Sequence, residues 1–248
     1  MSRSKERTRA SDKKQRVYAV DLFCGAGGLT HGLERAGICV KLGIDVDSAC
    51  TYPYTANNKV TFLHKSIDNV SAEELEAAYP KKGVRLLAGC APCQTFSTYF
   101  QKASKKDERW HLLSRFAELM KQLLPDIVTM ENVPRLADHG VFKAFLKTLR
   151  ECEYEVDHRI VSCTEYGIPQ NRQRLVLLAS RLGPIHIKEP THSADDSLTV
   201  RQVISDLPHL DAGEADENDI LHQCSSLSPL NLKRIRASTP GGSWRDWR

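Results

Sequence analysis

VYAVDLF at residues 17–23 runs into the glycine-rich turn CGAGG at 24–28, the segment LTHGLERAG at 29–37 and the apolar run CVKLGID at 39–45. The two apolar runs predict strands, and the apolar spacing between them predicts a helix that opens directly after the glycines. A strand, a helix and a strand in this order form a βαβ unit, whose two strands lie parallel in one sheet.

The same alternation continues to residue 180. Ser71 and Glu74 form a capping box that predicts a helix to about Tyr79, whereas SACTYPYTA at 48–56 predicts only a short or proline-interrupted helix. Strands are also predicted at 60–63, 84–89, 126–132, 154–162 and 174–180, helices at 111–123 and 138–151, and a polar loop at 90–110. This order predicts an α/β fold, with a mostly parallel sheet covered by helices on both faces.

The composition is that of a globular protein. The 248 residues are 41% hydrophobic and 27% charged, which excludes a disordered or fibrous chain. No run approaches the roughly 20 apolar residues of a membrane helix, and the N-terminus lacks the apolar core of a secretory signal. Eight scattered cysteines favour a reducing compartment. We therefore expect a cytoplasmic protein without a membrane segment.

Charge and composition divide the chain into three segments. Residues 1–16 hold seven Lys/Arg and two acids, whereas the rest is nearly neutral and the net charge is +4. We expect a flexible basic arm there, either suited to phosphate contact or simply solvated. The α/β domain is expected at 17–180, and a composition shift predicts a linker and the start of a second unit at 181–248.

The glycine-rich turn is a candidate cofactor site. Glycines let the backbone approach a ligand closely, and the following helix N-terminus presents free N–H groups. Asp45 follows Gly25 by twenty residues, at the end of the second strand, where an acid commonly binds ribose hydroxyls. The pattern fits NAD, FAD, S-adenosylmethionine or a purely structural turn. Thr30 stands where a dinucleotide fingerprint has glycine, which disfavours NAD.

Cys93, in PCQTFS, is a candidate nucleophile. It follows the strand predicted at 84–89, and the carboxyl ends of parallel strands form the ligand crevice of such a sheet. Two other interpretations fit Cys93: a buried thiol, and a redox pair with Cys90 in a C-x-x-C motif. We expect no metal site, because no second C-x-x-C motif supplies the remaining ligands.

Glu131 and two arginines are further candidates. Glu131 ends a predicted strand in the triplet ENV, and a carboxylate in the crevice is costly unless it has a partner or a task. Arg172 and Arg174, two residues apart, point the same way on an extended chain and suit carbonyl or phosphate oxygens. The alternative for the arginines is surface charge at the start of a strand.

DLFCGAGGLTHG, APCQTFS, ENV and QNRQR, in this order, resemble motifs I, IV, VI and VIII of the C5-cytosine DNA methyltransferases. Each motif is short, but four in order form a specific pattern, which covers residues 17–180. The resemblance implies a Rossmann-like, S-adenosylmethionine-dependent catalytic domain. It also implies methyl transfer to carbon 5 of a cytosine flipped out of duplex DNA, as part of a restriction–modification system.

The resemblance assigns catalytic roles. Cys93 would add to C6 of the cytosine, because C5 is too weak a nucleophile to take a methyl group unaided. Glu131 would share a proton with N3, which requires a raised pKa, and Arg174 would hold the O2 carbonyl with Arg172 nearby. The loop 94–110 would close over the DNA as a lid.

The resemblance also implies cofactor contacts, which are Phe23, Gly25, Gly27, Asp45, Ser66, Ile67 and Leu112. Two residues depart from the family pattern. Ser66 stands where the family usually has an aspartate that contacts the adenine amino group, and Cys90 stands where glycine is usual.

The closing motifs IX and X of the family have no counterpart after Ser180, although LSPLNLKRIRASTPGGSW at 227–244 resembles the opening of a target-recognition region. We therefore expect either a truncated chain or the catalytic α subunit of a split bacterial enzyme. The split hypothesis predicts a heterodimer, in which a β polypeptide carries the missing segments and covers exposed apolar surface.

Three alternatives stay open. Transfer RNA could replace DNA as the substrate of the same chemistry. The chain could be a catalytically silent regulator, against which the set of Cys93, Glu131 and Arg174 argues. A dinucleotide oxidoreductase that uses Cys90 and Cys93 is the third.

Overall fold

The computed structural model describes residues 15–92 and 110–247. Cys93, residues 94–109 of the predicted polar loop and residues 1–14 of the predicted basic arm lie outside the described residues. The chain forms two compact units that divide between Ser197 and Leu198.

Among the described residues of the first unit, seven strands form one sheet: β1 (Val17–Leu22), β2 (Cys39–Asp45), β3 (Thr61–His64), β4 (Val84–Gly89), β5 (Ile127–Asn132), β6 (Glu155–Ser162) and β7 (Gln173–Ser180). Their order is β3-β2-β1-β4-β5-β7-β6. The pairs from β3 to β5 are parallel, whereas β7 is antiparallel to both β5 and β6. The carboxyl ends of β1 to β5 therefore lie at one edge, which also receives the start of β7.

In the part of the first unit that the structure describes, five α-helices connect the strands: α1 (Gly28–Arg35), α2 (Thr51–Asn58), α3 (Ala72–Ala78), α4 (Trp110–Leu123) and α5 (Gly140–Glu151). The predicted capping box is present, since the Ser71 hydroxyl and the Glu74 carboxylate each accept the other residue's backbone N–H. Pro53 lies in the first turn of α2, where its missing N–H costs no helical hydrogen bond. The predicted mostly parallel α/β fold is confirmed.

Apolar clusters cover both faces of the sheet. Successive side chains of a strand point to opposite faces. Ala19 of β1 therefore packs with Tyr54 of α2 on one face. Val20 packs on the other face, in a larger cluster with Phe116 of α4 and Phe145 of α5. These two layers hold the carboxyl edge of the sheet in a fixed geometry.

The second unit, Leu198–Arg248, contains two helices, α6 (Val200–Ile204) and α7 (Pro229–Ala237). Ser228 caps α7 by accepting the Asn231 N–H, and Pro229 occupies the first helical position. The last turn of α7 carries Arg234 and Arg236. No helix in the described ranges has the length and apolar character needed to cross a membrane.

Candidate active site

The carboxyl edge of the sheet contains a cavity of about 390 Å³. We call it the cofactor cavity. Six of the seven residues predicted from the sequence to contact the cofactor line it, namely Phe23, Gly25, Asp45, Ser66, Ile67 and Leu112. The residues at the end of β4, Cys90 and Pro92, form part of the same wall. The fold thus assembles segments that are distant in the sequence, as expected at the carboxyl ends of parallel strands.

Gly25 and Asp45 form the floor of the predicted ribose site. The Gly25 N–H donates to Asp45 Oδ2 at 2.8 Å, and the Asp47 N–H donates to Asp45 Oδ1 at 2.9 Å. These bonds orient the carboxylate and leave further lone pairs free to accept hydroxyls. Gly25 has a φ of +52°, and a Cβ there would meet no atom within 4 Å, so the space above its backbone is open to a ligand.

Gly27 does not line this cavity. Its φ is +93°, and a Cβ there would lie 2.2 Å from Asn58 Nδ2 and 2.9 Å from Tyr54 Cδ2. The residue therefore lets the start of α1 pack closely against α2. Its predicted contact with the cofactor stays a prediction.

Ser66 and Ile67 enter the cavity from the end of β3. The Ser66 hydroxyl caps a short 3₁₀ helix, Ile67–Asn69, by accepting the Asp68 N–H at 3.4 Å. Arg115 of α4 donates to the carbonyl of Val70 at 2.7 Å, which ties this segment to the helix that presents Leu112. A hydroxyl rather than a carboxylate therefore faces the cavity here.

Several residues that line the cofactor cavity were not predicted from the sequence, among them Val46, Cys50 and Lys65. Val46 is 67% exposed, although it is apolar and lines a cavity. Val46 could have been predicted to line the cavity, because it directly follows Asp45 at the end of β2. Lys65 forms a 2.6 Å ion pair with Glu74, so its charge is already balanced.

The lining of the cavity suits the chemistry of S-adenosylmethionine. Phe23, Ile67 and Leu112 are apolar walls, Asp45 supplies acceptors for hydroxyls, and the glycine backbone leaves room above Gly25. An apolar lining with a few fixed polar groups is typical of small-molecule sites.

A second cavity of about 430 Å³ is lined by Glu131, Arg172 and Arg174, together with residues of β6, β7 and the connection between them. We call it the arginine cavity. Arg174 Nε lies 2.6 Å from Glu131 Oε1, with both side chains largely shielded from solvent. The structure thus brings together the three predicted catalytic residues that it describes. Their roles stay predictions, as does that of Cys93.

Burial raises the pKa of the Glu131 carboxyl above its ordinary value, whereas the Cys90 thiol and the Arg172 charge lower it. The ion pair with Arg174 also favours the ionised form. Burial, followed by the negative charge of Glu131, raises the pKa of the Cys90 thiol. A half-buried carboxylate beside one thiol and two arginines is suited to exchanging a proton with a ligand.

Asn132 fixes the segment that leads to Cys93. Its Nδ2 donates to the carbonyl of Ala91 at 2.9 Å, and its Oδ1 accepts the Val133 N–H at 2.9 Å. The side chain is buried. The end of β5 therefore holds the backbone two residues before the predicted nucleophile.

Asp21 is a buried acid at the end of β1. Its side chain is 1% exposed, its Oδ2 accepts a 2.7 Å hydrogen bond from Thr30, and its Oδ1 has no partner. Burial raises its pKa to about 6. Thr30 stands where a dinucleotide-binding fingerprint has glycine. In this structure its hydroxyl donates to the buried Asp21 carboxyl below the glycine-rich turn.

A family model of the C-5 cytosine-specific DNA methylases matches residues 17–245. The chain belongs to this family. S-adenosylmethionine is the methyl donor of the family, as the sequence resemblance predicted. Within residues 15–92 and 110–247, no group of three His, Cys, Asp or Glu side chains could hold a metal ion.

Two curated relatives show how much of a related protein this chain covers. The chain is 47% identical to the Type II methylase M.HgiDII of Herpetosiphon aurantiacus over 231 residues, which are 92% of this chain and 65% of the relative. It is 27% identical to the Type II methyltransferase M.AquIA of Picosynechococcus sp. over 218 residues, which are 76% of this chain and 88% of that protein. The chain thus spans just under two thirds of M.HgiDII and most of M.AquIA.

The crystal structure of S. pombe Dnmt2 methyltransferase shares the fold. Its TM-score is 0.59 at 23% sequence identity, over 70% of this chain and 52% of that one. At this identity the likeness shows only the fold of the chain.

Proposed function

We propose that this chain is the catalytic part of a DNA (cytosine-5) methyltransferase of a Type II restriction–modification system. The observation that carries the proposal is that both cavities lie at the carboxyl edge of the sheet. Cys90, three residues before Cys93, lines the cofactor cavity, and the strand register makes it a neighbour of Glu131, which lines the arginine cavity. A methyl donor and a pyrimidine bound in these cavities would meet beside Cys93.

The cofactor cavity binds and orients the donor. S-adenosylmethionine, when bound, supplies a methyl group on a positively charged sulfur. Asp45 accepts hydrogen bonds from the ribose hydroxyls, while Phe23, Ile67 and Leu112 form the apolar walls around the adenosine and methionine parts. The Ser66 hydroxyl takes the adenine contact, and Gly27 maintains the backbone of the turn.

The arginine cavity activates the base. The Cys93 thiolate forms a bond to C6 of cytosine, and the electron pair released from the C5–C6 double bond moves toward N3 and O2. Glu131 shares a proton with N3, and Arg174, assisted by Arg172, binds O2 and stabilises the developing charge. After C5 carries the new methyl group, a base removes the C5 proton, the S–C6 bond breaks and Cys93 leaves as a thiolate.

Duplex DNA must release the target base for this chemistry. C5 and C6 lie within the base stack, so the cytosine has to rotate out of the helix before Cys93 can reach it. The lysines of loop 94–110 and the basic arm are suited to phosphate contacts. A DNA substrate is also consistent with the predicted cytoplasmic location, where a bacterial chromosome lies.

We further propose that a second polypeptide completes the site, as a heterodimer. M.HgiDII has about one third of its length outside the match, whereas M.AquIA is matched over 88% of its length. Val46 lines the cofactor cavity but is largely exposed, which is the surface that a covering chain would bury.

Methyl transfer tests both parts of this proposal. Labelled S-adenosylmethionine is incubated with unmethylated bacterial DNA or with tRNA. The enzyme is either the chain alone or the chain co-expressed with the product of the neighbouring reading frame. We expect 5-methylcytosine in DNA with the co-expressed pair. Methylation of tRNA but not DNA would contradict the substrate, and strong site-specific activity of the chain alone would contradict the split enzyme.

A further inference from the structure

Cys90 lies between the two cavities on a rigid support. Its backbone N–H donates to the carbonyl of Leu22 in β1 at 3.3 Å. The parallel register of β4 and β5 pairs Gly89 with Met130, which places Cys90 beside Glu131. Two neighbouring strands therefore set the position of this side chain, independently of the loop that follows it.

The Cys90 side chain is a protonated donor. Its thiol is a neighbour of the Glu131 carboxylate, because the register of β4 and β5 sets the two residues side by side. Burial and the charge of Glu131 raise the pKa of the thiol, so that the sulfur keeps its proton at neutral pH. A thiol in this state is a poor nucleophile and reacts slowly in disulfide exchange.

We propose that Cys90 is a positioning residue for Glu131. Its thiol donates a hydrogen bond to the carboxylate from the side of the cofactor cavity, while Arg174 holds the carboxylate from the arginine cavity. The proposal rests on the proposed function for its catalytic meaning. A donor to a carboxylate favours the ionised form, so Cys90 lowers the pH at which Glu131 releases its proton. Glycine, which is usual here in the family by the sequence resemblance, offers no such donor.

The first test does not depend on activity. Subtracting the infrared spectrum of a Cys90→Ser variant from that of the full chain isolates the S–H stretch of Cys90. In a Glu131→Gln background the same subtraction is expected to give a band at higher frequency, because a neutral amide is a weaker acceptor than a carboxylate. A band that stays at the same frequency would overturn the contact on which the proposal depends.

The second test measures kcat/KM against pH, in whichever preparation transfers methyl groups. One limb of the kcat/KM profile reflects the titration of Glu131. Cys90→Ala is expected to move that limb to higher pH, by about half a unit or more, because the hydrogen-bond donor to the carboxylate is lost. Cys90→Ser keeps a donor and is expected to restore most of the original profile. Cys39→Ala is the matched control, because Cys39 starts β2 at the opposite edge of the sheet.

The outcomes separate the two proposals. A Cys90→Ala profile that coincides with the parent profile would overturn the positioning role, and so would a Cys90→Ser profile that moves as far as that of Cys90→Ala. If no preparation transfers methyl groups, the proposed function fails, whereas the infrared measurement still decides the contact between Cys90 and Glu131.

Discussion

Glu131, the penultimate residue of β5, and Arg174, the second residue of β7, form a 2.6 Å ion pair across two antiparallel strands. The register pairs Glu131 with Val176, so Arg174 is its diagonal neighbour on the same face. This meeting requires the reversed direction of β7, because a parallel strand would bring its carboxyl end to this edge. The one antiparallel strand of the sheet thus supplies the arginine of the site.

Arg174→Ala is expected to lower kcat for methyl transfer by about 100-fold or more, because a fixed donor to the developing charge is lost. Binding of S-adenosylmethionine should change little, since Arg174 lines the other cavity. Steady-state kinetics and cofactor titration measure the two effects. Arg181→Ala is the control, because Arg181 follows the opposite end of β7. Equal losses in both variants would refute the assigned role.

Asp45→Asn is expected to weaken S-adenosylmethionine binding about tenfold or more, measured by calorimetric titration. The carboxylate accepts the N–H groups of Gly25 and Asp47 through different oxygens, so an amide must present its NH₂ group to one of them. Asp195→Asn changes an exposed acid in the 3₁₀ segment Ala194–Asp196 and serves as the control. An unchanged affinity of Asp45→Asn for S-adenosylmethionine would contradict a contact between Asp45 and the ribose.

Gly25 and Gly27 are expected to respond differently to alanine. Both have positive φ, which costs an alanine roughly 1 kcal/mol. Gly27→Ala also forces a methyl group against Tyr54 and Asn58, adding about 1–3 kcal/mol. Gly25→Ala should instead reduce cofactor affinity, because its methyl group enters the open space. Thermal unfolding and cofactor titration of both variants test this contrast, which a reversed order of stabilities would contradict.

Asp21 is expected to make the protein less stable as the pH rises from about 4 to about 6. Over this range the folded chain keeps a proton that the unfolded chain, with an ordinary pKa of 3.8, has lost. A difference of about two between the two pKa values corresponds to roughly 3 kcal/mol. The free energy of unfolding of Asp21→Asn, measured with denaturant, should not decrease over this pH range. If it decreases as much as that of the parent, groups other than Asp21 cause the loss of stability.

Much of the fold follows from the sequence, because its signals are local. The capping box of Ser71 and Glu74, the alternating apolar runs and the glycine turn each determine an element from its own residues. The strands Cys39–Asp45 and Val84–Gly89 lie where the sequence placed them. The order of the strands and the direction of β7 are tertiary properties, and periodicity carries no information about them.

The candidate site also has features that the sequence predicts and features that only the tertiary structure determines. Asp45 and Glu131 could be found because each ends a strand, and strand ends meet at one edge of the sheet. The packing of Gly27 against Asn58 and the neighbouring positions of Cys90 and Glu131 depend on tertiary structure, which spacing along the chain does not reveal. The redox pair of Cys90 and Cys93 that the spacing allowed stays an open alternative.

The most direct measurement is covalent trapping on duplex DNA in which cytosine is replaced by 5-fluorocytosine. Fluorine at C5 cannot leave as a proton would, so the sulfur–C6 bond persists after methyl transfer. With S-adenosylmethionine and the partner polypeptide present, mass spectrometry of the digested complex should find the methylated base on Cys93, with no adduct in Cys93→Ala. An adduct on another residue, or full methyl transfer by Cys93→Ala, would contradict the proposed chemistry.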